Sequence, residues 1–388
     1  MRYISPMATQ PTNPFRFGDL ALGEAFTDRD QELADLIADA RNGQNVVLFA
    51  PRRFGKSSLV SRVAEELVRE HVLVAQVDLM RTPSKERLAE ALARTIHEDV
   101  ASPLFRARER LRVFAGLRLT PTVTLDPVDG SVGFTFAAGA APADVDATIE
   151  RLLELPAQLA AERDRRVVLI LDEFQEISDI DTHLPALMRS IFQKQRKVAH
   201  IYLGSKRHMM ERLFNDENEP FWRSAKQMEL GPIPAPQFAA YISAQFGRTG
   251  KRCSDETIQE VLRITNCHPY GTQELCYFLW AEVRPRASGG TDALEAALSN
   301  VLRSENAHFT RIWEKASRVQ RLMLQALADQ PGRPLAGAYR HRHGLPAPSS
   351  VQKALQVLEA DELVVRDPSV GYRIMEPFLA EWTRRYES

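Results

Sequence analysis

Short unbroken apolar runs alternate with stretches of helical periodicity through the first 230 residues. That alternation predicts an α/β domain built on a parallel, doubly wound sheet. Leu33, Leu36 and Ile37 recur at helical spacing over 28–40, and Gly43 closes the helix. Val46-Val47-Leu48-Phe49-Ala50 follows, a run that fits a strand buried on both faces. The same reading gives strands over 72–79, 167–171, 199–203 and near 227–230. Helices are predicted over 56–70, 85–100, 144–163, 183–197 and 206–214. Residues 117–137 break the alternation. There Val123-Thr124-Leu125 and Val132-Gly133-Phe134-Thr135-Phe136 flank Asp126-Pro127-Val128-Asp129-Gly130, the pattern of a β-hairpin inserted into the core.

Beyond Pro232 and Pro234 the strand signals stop. Residues 235–317 carry helical patterns only, broken near 247–250, at His268-Pro269 and at Ser288-Gly289-Gly290, and read as a helical lid or bundle. The last 70 or so residues predict helices over 318–329, 335–343 and 349–360, then two short strands over 363–366 and 372–375 around Gly371. Three helices followed by a β-ribbon is the winged-helix order, a variant of helix-turn-helix. The predicted organisation is an arm over 1–23, an α/β core over 24–232, a helical lid over 233–317 and a winged helix over 318–388.

Composition narrows the class without changing this picture. Of 388 residues, 44% are hydrophobic and 26% charged, enough apolar material for two or three packed domains. A net charge of −1 excludes a uniformly basic coat, so any DNA contact would need a local patch. Cys253, Cys267 and Cys276 have no C-x-x-C spacing and are expected as reduced thiols. No apolar run approaches the roughly 18–20 residues that span a bilayer, and the first residues lack an apolar signal core. A cytoplasmic chain without membrane attachment is the expectation.

The chemistry starts in the loop after the first strand. Ala50-Pro51-Arg52-Arg53-Phe54-Gly55-Lys56-Ser57-Ser58 fits G-x-x-x-x-G-K-[ST] at every fixed place except the first, where Ala50 stands for glycine. Gly55 lets backbone N–H groups approach a phosphate, and the helix that follows adds unpaired donors and a positive dipole end. Lys56 would bring charge to the β and γ phosphates, and the Ser57 hydroxyl would ligate Mg2+. A chance Gly-Lys-Ser at a strand–helix junction is the alternative.

An independent signal weighs against chance. Val167-Val168-Leu169-Ile170-Leu171-Asp172-Glu173 is an apolar strand ending in two acids, delivered to the sheet edge where α/β folds bind ligands. Asp172 can hold Mg2+ there and Glu173 can orient or deprotonate an attacking water. Ser205, with Lys206 and Arg207 behind it, follows another apolar strand, where a γ-phosphate sensor is expected; a solvated loop is the competing reading. Arg223 could act as an arginine finger on a neighbour's nucleotide or stand as an ordinary surface arginine.

With these residues in place, the chain resembles the archaeal-type ATPases of the AAA+/STAND class of P-loop NTPases. The resemblance covers most of the chain and rests on Asn13-Pro14-Phe15, Phe26-x-x-Arg29, Pro51-Arg52-Arg53-x-Gly55-Lys56-Ser57, Leu171-Asp172-Glu173-Phe174-Gln175, Gly204-Ser205-Lys206-Arg207-His208, Pro220-Phe221-Trp222 and His268-Pro269-Tyr270. It implies ATP rather than GTP, with Mg2+, held between the α/β core and the helical lid. Phe26 and Arg29 would lie by the adenine, and Pro269 against base or ribose. It departs at Ala50 and at His268, where relatives often carry glycine. It further implies a nucleotide-driven switch and a C-terminal winged helix.

The winged helix leaves its partner open between DNA and protein. Ser349, Ser350, Gln352, Lys353 and Gln356 would lie on the exposed face of its third helix, able to bond bases or phosphates. Glu359, Asp361, Glu362 and Asp367 follow at once and argue for a protein partner. Three functions therefore compete: a slow ATPase switch, a DNA-binding regulator in which nucleotide is mainly structural, and a scaffold that assembles with copies of itself on binding nucleotide.

Overall fold

The computed structural model of the chain describes residues 12–18, 26–100, 122–125, 132–135, 141–284 and 288–387. They form two compact units. One comprises Arg29–Arg52 and Lys56–Gly231; the other comprises Arg53–Gly55, everything from Pro232 on, and the residues before Arg29.

The first unit is built on a five-stranded sheet. Its strands are β1 (Val46–Phe49), β2 (Leu73–Asp78), β5 (Val167–Asp172), β6 (Val198–Gly204) and β7 (Lys226–Glu229), with a separate hairpin of β3 (Thr122–Leu125) and β4 (Val132–Thr135). The spatial order is β2-β5-β6-β1-β7, and every pairing in it is parallel. Parallel neighbours need crossovers; helix Asp30–Asn42 leads into β1, and helices Lys56–Arg69, Lys85–Thr95, Pro142–Glu162, Leu184–Phe192 and Arg207–Asn215 lie between the strands in sequence. All four residues of β1, an unbroken apolar run, and all seven of β6, where His200 interrupts the apolar residues, are buried. Strand β7, at one edge, is mostly exposed and carries Lys226 and Glu229, charges that discourage further pairing.

Register fixes the functional rim. Phe49 pairs with Gly204 and Leu171 with Tyr202, so β1, β6 and β5 end side by side. The β3–β4 hairpin pairs antiparallel, Thr122 with Thr135 and Leu125 with Val132. The predicted turn 126–130 and the remainder of 117–137 lie outside the described residues.

The second unit holds helices Ala235–Arg248, Asp255–Thr265, Pro269–Glu282 and Thr291–Lys315. It also contains a two-residue parallel pairing absent from the sequence reading, β8 (Arg252–Cys253) with β9 (Ser288–Gly289). Helices Arg318–Asp329, Gly337–Arg342 and Pro348–Ala360 then lead into the antiparallel ribbon β10 (Val364–Asp367) and β11 (Gly371–Ile374). A final helix, Pro377–Tyr386, closes the chain. Its Trp382 donates to Asn306 and lies 6.1 Å from Phe309 and from Trp313, so winged helix and helical region share one apolar core. Residues 12–18 have no regular structure, yet Phe15 is buried against Phe246, and the half-buried Phe17 packs on Tyr270 and Tyr277. Among the described residues no helix is long and apolar enough to cross a membrane.

One carboxylate in this unit is out of keeping with its surroundings. Glu274 is fully buried, and neither of its side-chain oxygens has a hydrogen-bond partner. Burial, with the charges of Glu305 and Glu376, pushes it up to about 8, against a smaller opposing pull from Arg53. A carboxyl raised on folding costs stability as pH climbs from its ordinary value toward the raised one, at up to about 1.4 kcal/mol per pH unit. Glu274→Gln is therefore expected to raise the melting temperature at pH 8 and to leave it unchanged near pH 4, a comparison that thermal unfolding at the two pH values makes directly.

Candidate functional site

The loop after β1 enters helix Lys56–Arg69 through two left-handed residues, Arg53 at φ 66° and Gly55 at φ 83°. At Gly55 no atom lies within 4 Å of where a Cβ would stand, so the loop presents bare backbone there. The helix carries no acidic residue in its first turn, leaving its positive dipole end uncompensated. Lys56 is 7% exposed, with its Nζ 3.3 Å from Glu173 Oε1 and 3.8 Å from Asp172 Oδ1. The glycine-lysine-serine motif and the acidic pair thus meet at one rim of one sheet.

The acidic pair is held from below by aromatic packing. Phe174 is fully buried, 4.7 Å from Tyr202 and 5.1 Å from Phe221 between ring centres. Its seat fixes a short turn over Phe174–Glu176 and forces Glu173 into left-handed backbone at φ 51°. Such a conformation costs about 1–3 kcal/mol away from glycine, so surrounding contacts must support it. Asp172 Oδ1 accepts the Glu173 N–H at 2.9 Å. The Glu173 carboxylate then receives three side chains: Ser205 Oγ donates to Oε2 at 2.7 Å, Gln175 Nε2 donates to Oε2 at 2.5 Å, and Lys56 Nζ donates to Oε1.

Burial alone would raise the Glu173 carboxyl, but Lys56 and the bonds from Gln175 and Ser205 outweigh it and hold the group below its usual range. Asp172 goes the other way. Burial raises it, Lys56 only partly offsets this, and the neighbouring Glu173 charge adds to the rise. Glu173 is thus a carboxylate supported by donors, as a proton acceptor needs, whereas Asp172 lacks comparable hydrogen-bond support for its charge. A hydroxyl from Ser57 and a carboxylate from Asp172 are hard oxygen donors, and the under-compensated charge on Asp172 suits a divalent cation such as Mg2+. The residues present fit that ion.

The other predicted residues fall in different places. Ser205 is buried in the Glu173 group, but Arg207 is half exposed and paired with Glu211 and Glu229. Lys206 instead reaches Glu176 at 2.9 Å. Pro51 is half-buried, Arg52 exposed and Ser58 buried. Arg53 and Phe54 belong to the second unit, where the Arg53 guanidinium lies 4.3 Å over the Tyr270 ring and 3.8 Å from Glu376, and Phe54 is 4.6 Å from His268. Phe26 is half-buried. Arg29 is buried and donates to the Gly231 carbonyl at 2.6 Å and to Glu32 at 2.9 Å. Pro269 occupies the first turn of Pro269–Glu282, capped by His268 Nδ1 accepting the Gly271 N–H. Arg223 is exposed at φ 50°, with its guanidinium 5.4 Å from the Trp222 ring. On the winged helix Ser349, Gln352, Lys353 and Gln356 are exposed and Ser350 half-buried, while Val351, Ala354, Leu355 and Leu358 face the core.

Two residues of the group had no role assigned from sequence. Gln175 is fully buried beside Glu173. Gly204 clears room beside it: an added Cβ would lie 2.3 Å from Met210 Cγ and 2.9 Å from Gln175 Oε1. The signal for Gln175 was a polar side chain two places after the acidic pair, next to a phenylalanine, and glutamines are mostly exposed.

Comparison with known proteins agrees with the fold. Residues 26–275 match a family described as an ATPase domain predominantly from Archaea, and residues 307–385 match a winged helix domain. Among solved structures, a Walker-type ATPase of Pyrococcus abyssi superposes with a TM-score of 0.66 at 17% identity, covering 96% of this chain and 99% of that one. The ORC2 protein of Aeropyrum pernix, in ADPNP–ADP complexes, gives 0.55 at 14% identity, covering 97% of each chain. No curated protein matches the sequence.

Proposed function

The chain belongs to the family of ATPase domains found predominantly in Archaea, and from that premise we propose that it is a slow, Mg2+-dependent ATP-hydrolysing switch of the AAA+/STAND type whose nucleotide state governs what its winged helix engages. The observation that carries the reading is the meeting of Lys56 with Asp172 and Glu173 at 3.8 Å and 3.3 Å. An ammonium already balanced by two carboxylates can transfer to phosphate oxygens without being taken from bulk water, and Glu173 is thereby released toward the attacking water. The ADPNP–ADP complexes of the ORC2 neighbour lend support to nucleotide binding.

In the proposed reaction Lys56 binds the β and γ phosphates while the backbone around Gly55 follows them. Ser57 and Asp172 would hold Mg2+, which would supply positive charge to offset that of the phosphates. Glu173 accepts a proton from water as the water oxygen bonds to the γ phosphorus. The bond from that phosphorus to the β–γ bridging oxygen breaks, giving ADP and phosphate. Ser205 keeps Glu173 oriented and would sense the γ phosphate. Arg207 would join only by leaving Glu211 and Glu229. Phe26 and Pro269 are assigned to the base and ribose, and Arg29 braces Gly231 within its own unit. Arg223, exposed beside Trp222, is the group offered to a second copy of the chain. Three unpaired cysteines fit a cytoplasmic setting.

The exposed row Ser349, Gln352, Lys353 and Gln356 favours a second reading in which the winged helix holds DNA. Calorimetric titration with Mg-ATP, together with a phosphate-release assay, tests the main reading. Saturable binding and slow turnover are expected, and a folded protein that binds no Mg-ATP would overturn it. A mobility shift that weakens steeply with salt and disappears on deleting 318–388 would establish the second.

A further inference from the structure

We infer that Gln175 is a positioning residue for hydrolysis, holding the Glu173 carboxylate against Ser205 in the orientation that leaves its other oxygen for water; this rests on the ATPase reading above. Gln175 is fully buried and its Nε2 lies between two carboxylates, 2.5 Å from Glu173 Oε2 and 3.3 Å from Glu176 Oε1. Only a donor suits that place. Turning the amide over would set its oxygen against both acids, so the orientation follows from the chemistry. Glu176 is in turn fixed by Lys206 Nζ at 2.9 Å, which keeps the second acceptor in place.

The far end of the same amide shows that the side chain is not there to fill space. Gln175 Oε1 is buried with no hydrogen-bond partner, a deficit of about 1–3 kcal/mol that a methionine or leucine would not incur. The neighbouring backbone is shaped around that oxygen, since a Cβ at Gly204 would approach it to 2.9 Å. A buried amide kept with one end unsatisfied is explained by what its other end does. With Ser205 and Gln175 both on Oε2, the carboxylate cannot rotate, and Oε1 is left to Lys56 and to a water replacing it.

Gln175→Met separates positioning from packing, because methionine has similar length and volume but no N–H. Its kcat is expected to fall about 10- to 100-fold, the loss typical of a reacting group displaced by about an ångström. The Mg-ATP dissociation constant should stay within about twofold, and a crystal structure of the variant should show the Glu173 carboxylate turned off Ser205. Gln175→Ala takes the same readings should methionine prevent folding, judged by nucleotide binding. Turnover within about twofold of the parent in either folded variant would overturn the inference. If the parent hydrolyses ATP and Glu173→Gln does not, such a result sinks the Gln175 role alone. A parent that binds Mg-ATP without hydrolysing it sinks both.

Discussion

Glu173→Gln is expected to lower ATP turnover by about 10²- to 10⁴-fold while leaving Mg-ATP bound, the range over which a positioned proton acceptor contributes. The substitution is isosteric, so the turn over Phe174–Glu176 and its aromatic seat should survive. What changes is donor matching. Glu173 accepts from Lys56, Ser205 and Gln175, but glutamine offers one oxygen and an NH2. If the oxygen stays with Ser205 and Gln175, the NH2 faces Lys56 and repels it. Lys56 then keeps only the looser Asp172 contact at 3.8 Å and is freer to meet phosphate. Affinity for Mg-ATP should accordingly hold or tighten while hydrolysis stops. Phosphate release and equilibrium binding on the same preparation check both halves, and normal turnover by this variant would remove Glu173 from the assigned role.

How much of this was legible in the sequence depends on burial. Strands β1, β5 and β6 lie inside the sheet, and their apolar runs announce them to within a residue or two. Strand β7 sits at an edge with no apolar face, and it begins at Lys226, one residue before the predicted 227. The β8–β9 pairing is two residues long, too short for any period to show. Helix Pro377–Tyr386 lies beyond the predicted ribbon, although Pro377 at its start and Phe378, Leu379 and Trp382 at helical spacing mark it. At the site, Lys56, Asp172, Glu173 and Ser205 each stand at a strand end or helix start, and parallel topology alone brings such points to one rim. Side-chain partners are another matter. Arg207 and Lys206 are adjacent in sequence, yet one pairs with Glu211 and Glu229 and the other with Glu176, a choice made by the direction of helix Arg207–Asn215. No spacing rule encodes that direction.

Lys56→Ala should act at binding rather than at the chemical step. Truncating one partner of a buried, hydrogen-bonded charge pair costs about 2–5 kcal/mol, or roughly 30-fold and upward in the Mg-ATP dissociation constant. The free protein pays too, since Asp172 and Glu173 lose the cation that balances both of them. Burial already raises Asp172, and without Lys56 its mutual repulsion with Glu173 is unopposed. That repulsion drives one of the two toward its protonated form, so the variant should be less stable at pH 8 than at pH 5 by more than the parent is. The paired signature, weakened nucleotide binding in calorimetry and a new alkaline loss of thermal stability, distinguishes a lysine shared between phosphate and carboxylates from one serving phosphate alone. In the second case the melting temperature would follow the parent's across the same pH range.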